Sequence, residues 1–194
     1  MIEFDPSTAL VVIDMQNDFA DPDGSLFVED GPEVVGHVNA LVASAVEAEA
    51  FVVYTADWHP EVTPHFEKDG GVWPVHCVGG TWGAEFHPSL EVHGPVVRKG
   101  TNGEDGYSGF TMRDPTTDET TPTELIGLLE DRGIDKLVIC GLATDYCVKS
   151  TVVDALDLGY PVIVPRHATR SVELTPGDGV EALLRMCMAG ASIA

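Results

Sequence analysis

The chain has 194 residues, of which 44% are hydrophobic, so it has enough apolar material for a folded core and is not a disordered chain. Ten Lys and Arg residues are outnumbered by 32 Asp and Glu residues, which gives a formal net charge of −22. A surface this acidic repels phosphate backbones and anionic lipid head groups, so binding to nucleic acid or to a membrane is disfavoured.

Short apolar runs rich in Val and Ile alternate along the chain with stretches of helical periodicity. These runs lack the polar alternation of a half-exposed strand, so they indicate parallel strands buried on both faces. They predict strands over residues 9–14, 50–56, 95–99, 136–142 and 161–165, with the terminal ASIA as a short sixth strand.

Helices are predicted between or after these strands, over residues 33–48, 122–132, 147–158 and 178–189. At the start of the second helix, Thr121 and Glu124 have the spacing of a capping box. The apolar residues of the last helix are Val180, Leu183, Leu184 and Met188. This alternation implies right-handed crossovers and an α/β fold, which we expect to form one three-layer α/β/α domain over residues 1–194.

Two long stretches interrupt the alternation. Residues 57–94 contain all three Trp residues and five of the seven His residues, and loops of this length are usually functional. Residues 100–121 are rich in Gly, Asp and Thr, and we expect them to form an exposed acidic loop.

The four cysteines do not include a C-x-x-C pair, so a disulfide framework is not expected. Cys140 and Cys187 lie in apolar stretches and are predicted to be buried. No apolar run approaches the roughly 18 residues of a membrane span, and the start lacks a signal-peptide pattern. We therefore expect a cytoplasmic protein.

Three polar or reactive residues lie at or just after the ends of predicted strands: Asp14 ends the first, Lys99 ends the third and Cys147 follows the fourth. Ligands of open parallel sheets bind at the carboxyl ends of the strands, so the three could form a nucleophile with a base and a cationic neighbour. A helix start should also lower the pKa of the Cys147 thiol. Singly, each residue also fits a structural role, as a turn cap, a solvent-facing lysine or a buried thiol.

A second cluster of candidate residues begins where the second strand ends. Asp57 and His59 are two residues apart, so in an extended chain their side chains point to the same side. His76 could complete a facial set with open positions, suited to zinc, iron or manganese. The alternative is that these histidines are exposed loop residues.

Six motifs occur in the order VVIDMQNDF, TADWHP, HF, WPVHCVGGTWGAEFHPSL, KG and GLATDYCV. Together they resemble the isochorismatase-like cysteine hydrolase superfamily, and within it the nicotinamidases, from Ala9 to about Met188. The resemblance implies a Rossmann-like, six-stranded, mainly parallel sheet flanked by helices. It also implies that Cys147 is the nucleophile, Asp14 the general acid and base, and Lys99 the residue that stabilises charge.

The resemblance further implies one divalent metal ion, with zinc expected and iron or manganese as alternatives. Its ligands would be Asp57, His59 and His76, and His65 corresponds to an additional ligand in some members. The ion would bind the pyridine nitrogen and orient the ring.

The same resemblance assigns the substrate pocket. A cis peptide is expected between Leu142 and Ala143, and the N–H groups of Ala143 and Cys147 would form the oxyanion hole. The expected pocket walls are Phe19, Trp73, Tyr107, Leu142, Ala143 and Tyr146. Tyr146 stands where this motif often has histidine, which bears on substrate preference and not on the chemistry.

The implied activity is hydrolysis of nicotinamide to nicotinate and ammonia through a thioester, for NAD salvage. Nicotinamide is the expected partner, nucleic acid and membranes are not expected, and a homo-oligomer is left open. The alternatives are another hydrolase of the superfamily, acting on an N-carbamoyl compound, ureidoacrylate or isochorismate, and a non-catalytic domain that keeps the fold.

The acidic composition predicts that the protein is adapted to high salt. Each exposed pair of carboxylates costs about a few tenths of a kcal/mol, and many pairs together could rival a net stability of about 5–15 kcal/mol. Molar salt shortens the screening length to about 3 Å, so both stability and activity should rise. Melting curves in low and in molar potassium chloride measure this, and a melting temperature that is flat or falls with salt would contradict it.

Overall fold

Strands and helices alternate along the chain, as the sequence pattern predicts. The computed structural model describes residues 2–194. The strands are β1 (Thr8–Ile13), β2 (Phe51–Asp57), β3 (Val96–Lys99), β4 (Thr111–Arg113), β5 (Thr120–Pro122), β6 (Lys136–Leu142), β7 (Val162–Val164), β8 (Thr169–Arg170) and β9 (Ser192–Ile193). The α-helices are α1 (Asn17–Ala20), α2 (Gly31–Glu47), α3 (Leu125–Glu130), α4 (Lys149–Asp157) and α5 (Asp178–Ala189).

A parallel sheet forms the middle layer. Six strands pair in the order β3-β2-β1-β6-β7-β9, and the two-residue β8 pairs with the end of β6. The predicted six-stranded parallel sheet is thus confirmed, with β8 as a short seventh strand. Because β1 lies between β2 and β6, the residues that follow these strands meet at one edge of the sheet.

Apolar residues cover both faces of the sheet, which explains the continuous apolar runs. Along β1, Leu10 and Val12 pack in the core beneath α2, and Ala9, Val11 and Ile13 pack in the core beneath α3 and α4. All five side chains are fully buried. Within residues 2–194, none of the helices combines the length and the apolar character needed to span a bilayer.

The helix predicted over residues 122–132 is shorter than expected. Thr121 lies in β5 and pairs with Met112 of β4, so the expected capping box does not form. Instead, the Thr123 hydroxyl accepts a hydrogen bond from the Leu125 N–H (3.1 Å) just ahead of α3. The expected acidic loop therefore ends in a hairpin, and this β4–β5 hairpin includes Pro122, the first residue of the predicted helix.

The outward face of α5 also differs from the expectation. Val180, Leu184 and Met188 are 57%, 59% and 87% exposed, whereas Ala182 and Met186 are buried. Cys187 is exposed as well, so its predicted burial is wrong, while Cys140 is buried as predicted. The reason is that α5 turns Gly179, Ala182 and Met186 inward, where it lies close to α4 and to the turn that contains Cys147. Of the four apolar residues expected from the sequence, Leu183 alone packs partly against the core.

We predict opposite outcomes for two methionines of α5. Met186→Ala should lower the free energy of unfolding by about 2–5 kcal/mol, because it leaves a cavity in the core. Met188→Ala should change it by less than about 0.5 kcal/mol, because that side chain lies at the surface. Urea unfolding at one fixed salt concentration compares them, and equal losses would mean that the orientation of α5 is wrong.

Candidate active site

Asp14 directly follows β1, and its carboxylate is completely buried. The Thr55 hydroxyl donates a hydrogen bond to Oδ1 (2.6 Å), and the Lys99 ammonium donates one to Oδ2 (2.6 Å). Burial raises the pKa of Asp14 to about 6, although Lys99 acts to lower it. This is the pKa of a group that can both accept and return a proton near neutral pH.

Lys99, the last residue of β3, is also completely buried, so a solvent-facing role is wrong. Its Nζ lies 2.6 Å from Asp14 Oδ2 and 3.0 Å from Asp57 Oδ1, and it donates a hydrogen bond to the Gly106 carbonyl. Burial lowers the pKa of Lys99, but the two carboxylates outweigh it and raise that pKa well above its ordinary value. The side chain is therefore a fixed positive charge between two acids.

Cys147 lies in a π-helical turn, Thr144–Val148, which precedes α4. Burial raises the pKa of its thiol well above the ordinary value, although Lys99 lowers it. The predicted lowering by the helix start is therefore wrong in its net effect, and the resting thiol keeps its proton. A carboxylate oxygen of Asp14 lies within 4.8 Å of the sulfur, close to the proton that must leave.

The backbone ahead of Cys147 has the conformation that the resemblance implied. The peptide bond between Leu142 and Ala143 is cis. The Ala143 carbonyl accepts hydrogen bonds from the N–H groups of Tyr146 (3.2 Å) and Val148 (3.1 Å). Gly141 has a φ of +111°, and a Cβ there would lie 2.1 Å from the Ile13 carbonyl oxygen, so this crossing next to β1 requires glycine.

Four potential metal ligands converge beside Asp14, Lys99 and Cys147. One ring nitrogen from each of His59, His65 and His76 lies within 4.8 Å of the others. Asp57 Oδ2 is 3.8 Å from His59 Nε2 and 3.9 Å from His76 Nε2. Although burial raises the pKa of Asp57, Lys99 and His59 outweigh it and lower that pKa, so the carboxylate is ionised.

The chemistry of these side chains fits a divalent cation. Among the described residues, neither ring nitrogen of the buried His59 has a hydrogen-bond partner, and buried polar atoms are rarely left unpaired. Burial lowers the pKa of His76 to about 4, so its ring is neutral, as a metal ligand must be. Three imidazoles and one carboxylate are a ligand set typical of zinc and of other first-row transition metals.

A pocket joins the Cys147 region to the cluster of potential metal ligands. The residues that line it are Phe19, Leu26, Asp57, His65, Trp73, His76, Gly106, Tyr107, Leu142, Ala143, Tyr146, Cys147 and Val172. The Trp73 indole donates a hydrogen bond to the Tyr107 hydroxyl (2.7 Å), and the Trp73 and Tyr146 rings meet edge to face with centroids 4.8 Å apart. Every wall residue proposed from the sequence therefore lies at this pocket.

Sequence reasoning missed three of the lining residues, namely Leu26, Gly106 and Val172. Val172 reaches the pocket because the Asp145 carboxylate accepts hydrogen bonds from the N–H groups of Val172 and Glu173, both at 3.0 Å. Such a long-range contact leaves no local pattern in the sequence.

Gln16 was also missed, although it lies inside the first motif. Its amide nitrogen donates to the Asp57 carbonyl (2.7 Å) and its amide oxygen accepts from the Asp57 N–H (2.8 Å). The side chain thus fixes the backbone at Asp57, one of the four potential metal ligands. The position of Gln16 two residues after Asp14 could have indicated this role.

Comparison with known proteins agrees with this arrangement. Residues 8–192 match the family model of the isochorismatase domain. The chain is 37% identical over 206 residues to nicotinamidase from Escherichia coli (strain K12), which covers 97% of this chain and 94% of that protein.

Two solved structures have the same fold. Pyrazinamidase of Pyrococcus horikoshii in complex with zinc has a TM-score of 0.87 and 38% identity, covering 97% of this chain and 99% of that one. PnC1 from L. infantum in complex with nicotinate has a TM-score of 0.90 and 32% identity, covering 100% of this chain and 95% of that one. Because the family model and these relatives match nearly the whole chain, the protein belongs to the isochorismatase family.

Proposed function

We propose that this protein is a nicotinamidase, an amidohydrolase that converts nicotinamide to nicotinate and ammonia. The main support is that one pocket joins the Cys147 thiol to a buried cluster of metal-ligand side chains. The relatives support the same substrate class, since one is a nicotinamidase and another was solved with nicotinate.

Asp14 starts the reaction as a general base. It takes the proton of the Cys147 thiol, and the thiolate attacks the carboxamide carbon. Because burial makes a free thiolate costly, the proton transfer and the attack occur together. The Lys99 ammonium stabilises the negative charge near the sulfur. The carbonyl oxygen becomes an oxyanion, for which the N–H groups of Ala143 and Cys147 are the proposed donors.

The same carboxyl group then acts in the opposite direction. Asp14 returns the proton to the amide nitrogen, the C–N bond breaks, ammonia leaves and a thioester remains on Cys147. A water molecule gives a proton to Asp14 and attacks the thioester carbon, and the C–S bond then breaks. Asp14 passes that proton to the departing sulfur, which restores the thiol and the Asp14 carboxylate, and nicotinate leaves. A pKa of about 6 suits a group that must accept and donate in alternate steps.

The metal-ligand cluster serves to orient the substrate. Asp57, His59, His65 and His76 would hold one divalent cation, which, when bound, supplies an electrophilic contact for the pyridine nitrogen. The aromatic walls of the pocket, Phe19, Trp73, Tyr107 and Tyr146, then confine the ring so that its carboxamide faces Cys147. Fixing both ends of a rigid substrate lowers the entropic part of the barrier.

Ammonia release is the direct test of the proposed function. The purified protein should release ammonia from nicotinamide, and should act much less on an N-carbamoyl compound, ureidoacrylate or isochorismate, whose hydrolysis is measured by loss of the substrate. Preference for one of those substrates would assign the chain to another hydrolase of the family. No turnover of any of them would leave a non-catalytic domain.

We predict that Cys147 is the only cysteine needed for turnover. Cys147→Ala should lower kcat by at least about 10³-fold, because no other group can form the thioester. Cys187→Ala is the matched control and should keep full activity, because that thiol is exposed on α5. Full activity of Cys147→Ala, with an unchanged melting temperature, would rule out the thioester mechanism.

We also predict that activity depends on one bound divalent metal ion per chain. Metal analysis of the dialysed protein should find it, and chelation followed by re-addition of zinc should abolish and then restore ammonia release. His76→Ala should lose the metal, whereas His93→Ala should keep it, because His93 lies outside the cluster. Metal-free protein that retains full activity would contradict this prediction.

A further inference from the structure

A series of polar contacts leads from the exposed β4–β5 hairpin to the buried His65 ring. His65 Nδ1 lies 2.6 Å from Asp105 Oδ1, and neither side chain is more than 7% exposed. Arg113 donates a hydrogen bond to the other Asp105 oxygen, Oδ2 (2.6 Å), and another to the exposed Asp118 (2.8 Å). Both carboxylate oxygens of Asp105 are therefore occupied, one by the ring and one by the guanidinium.

The backbone also fixes Asp105. Its N–H donates to the Arg113 carbonyl (2.7 Å), and the Arg113 N–H donates back to the Asp105 carbonyl (3.1 Å). On the other side, the Thr63 hydroxyl donates to the Gly103 carbonyl (2.9 Å) and accepts from the His65 N–H (3.2 Å). The segments that contain His65 and Asp105 are thus joined by contacts other than the ring itself.

The three histidines of the cluster differ in what supports them. His76 Nδ1 faces the neutral carbonyl of Pro74 (2.8 Å), and His59 has no partner for either nitrogen within residues 2–194. Of these three, only His65 contacts a carboxylate through Nδ1. That contact selects the tautomer with Nε2 free, fixes the ring plane and makes Nε2 a better electron donor.

We propose that Asp105 is a positioning residue that makes His65 a ligand of the bound metal, and that Arg113 fixes Asp105 from the β4–β5 hairpin. This inference rests on the metal site of the proposed function. It gives the hairpin, which the sequence indicated only as an exposed acidic loop, a role in metal binding. It also distinguishes His65 from the other proposed ligands, because the tautomer and orientation of the His65 ring depend on Asp105, which lies 40 positions away in the chain.

The test measures zinc affinity directly, by competition with a chromophoric chelator on the metal-stripped full-length protein. The variants are Asp105→Ala, Asp105→Asn, His65→Ala and the double variant Asp105→Ala/His65→Ala. Glu104→Gln is the matched control, because the Glu104 carboxylate contacts Asn102 and lies next to Asp105 in the chain. Cobalt absorption spectra of the same proteins report the number of nitrogen ligands.

Asp105→Ala should weaken zinc binding about 10–100-fold, as is typical for loss of a residue that orients a metal ligand. Asp105→Asn should lie between Asp105→Ala and the unmodified protein, because it keeps an acceptor oxygen but no charge. The double variant should bind no more weakly than His65→Ala, because Asp105 acts through that ring. The cobalt spectrum of Asp105→Ala should move towards that of His65→Ala.

Three results would overturn the inference: unchanged zinc affinity in Asp105→Ala, additive losses in the double variant, or an unchanged cobalt spectrum. Melting of the metal-free proteins checks folding, and Asp105→Asn provides the same comparison if Asp105→Ala does not fold. Ammonia release by the unmodified protein is scored separately. Activity together with unchanged zinc affinity in Asp105→Ala refutes only the role of Asp105, whereas weakened affinity without any activity refutes only the proposed function.

Discussion

The site depends on the ion pairs of the buried Lys99 ammonium. A lone charge without water is costly, and here two carboxylates within 3.0 Å compensate for it. One of them, Asp14, belongs to the reacting group, and the other, Asp57, belongs to the metal-ligand cluster. Lys99 therefore joins the two halves of the site electrostatically, and a change at either half alters the charge that the other half experiences.

This contact is possible only because of the strand order. Asp57 pairs with Lys99 across β2 and β3, and β1 lies on the other side of β2, so Asp14 is a close neighbour of both. The three central strands, β2, β1 and β6, are buried on both faces, so this part of the sheet cannot shift to accommodate a misplaced charge. The close packing of the apolar strands thus also fixes the distances between the charged groups.

The sequence predicted those features that are determined locally. Runs of Val and Ile are sufficient to identify the parallel strands, and the D-x-H spacing of Asp57 and His59 indicates a candidate ligand pair, because both patterns follow from strand geometry. The orientation of α5 and the start of α3 were not predictable in this way. The orientation of α5 depends on what packs against Met186, and the start of α3 depends on how the segment that contains Thr121 pairs. Neither contact can be read from the residues that are adjacent in the chain.

The same distinction applies within the site. Asp14, Lys99 and Cys147 each lie at or just after the end of a strand, so the topology of a parallel sheet brings them together. Val172 and Asp105 reach the site through long-range hydrogen bonds. Residues of that kind resemble ordinary loop residues until the fold is known. Burial likewise reversed the expected direction of the Cys147 pKa shift, because desolvation outweighs the lowering by Lys99.

The central position of β1 has a consequence for how the protein forms. One edge of this strand pairs with β2, but its other edge is covered only by β6, which comes more than a hundred residues later in the chain. During synthesis, this apolar strand has an unpaired edge until β6 emerges, and contacts this distant in sequence are slow to form. The group of Asp14, Lys99 and Cys147 shares this delay, because Cys147 follows β6 in the chain, so the group assembles only together with the closed centre of the sheet.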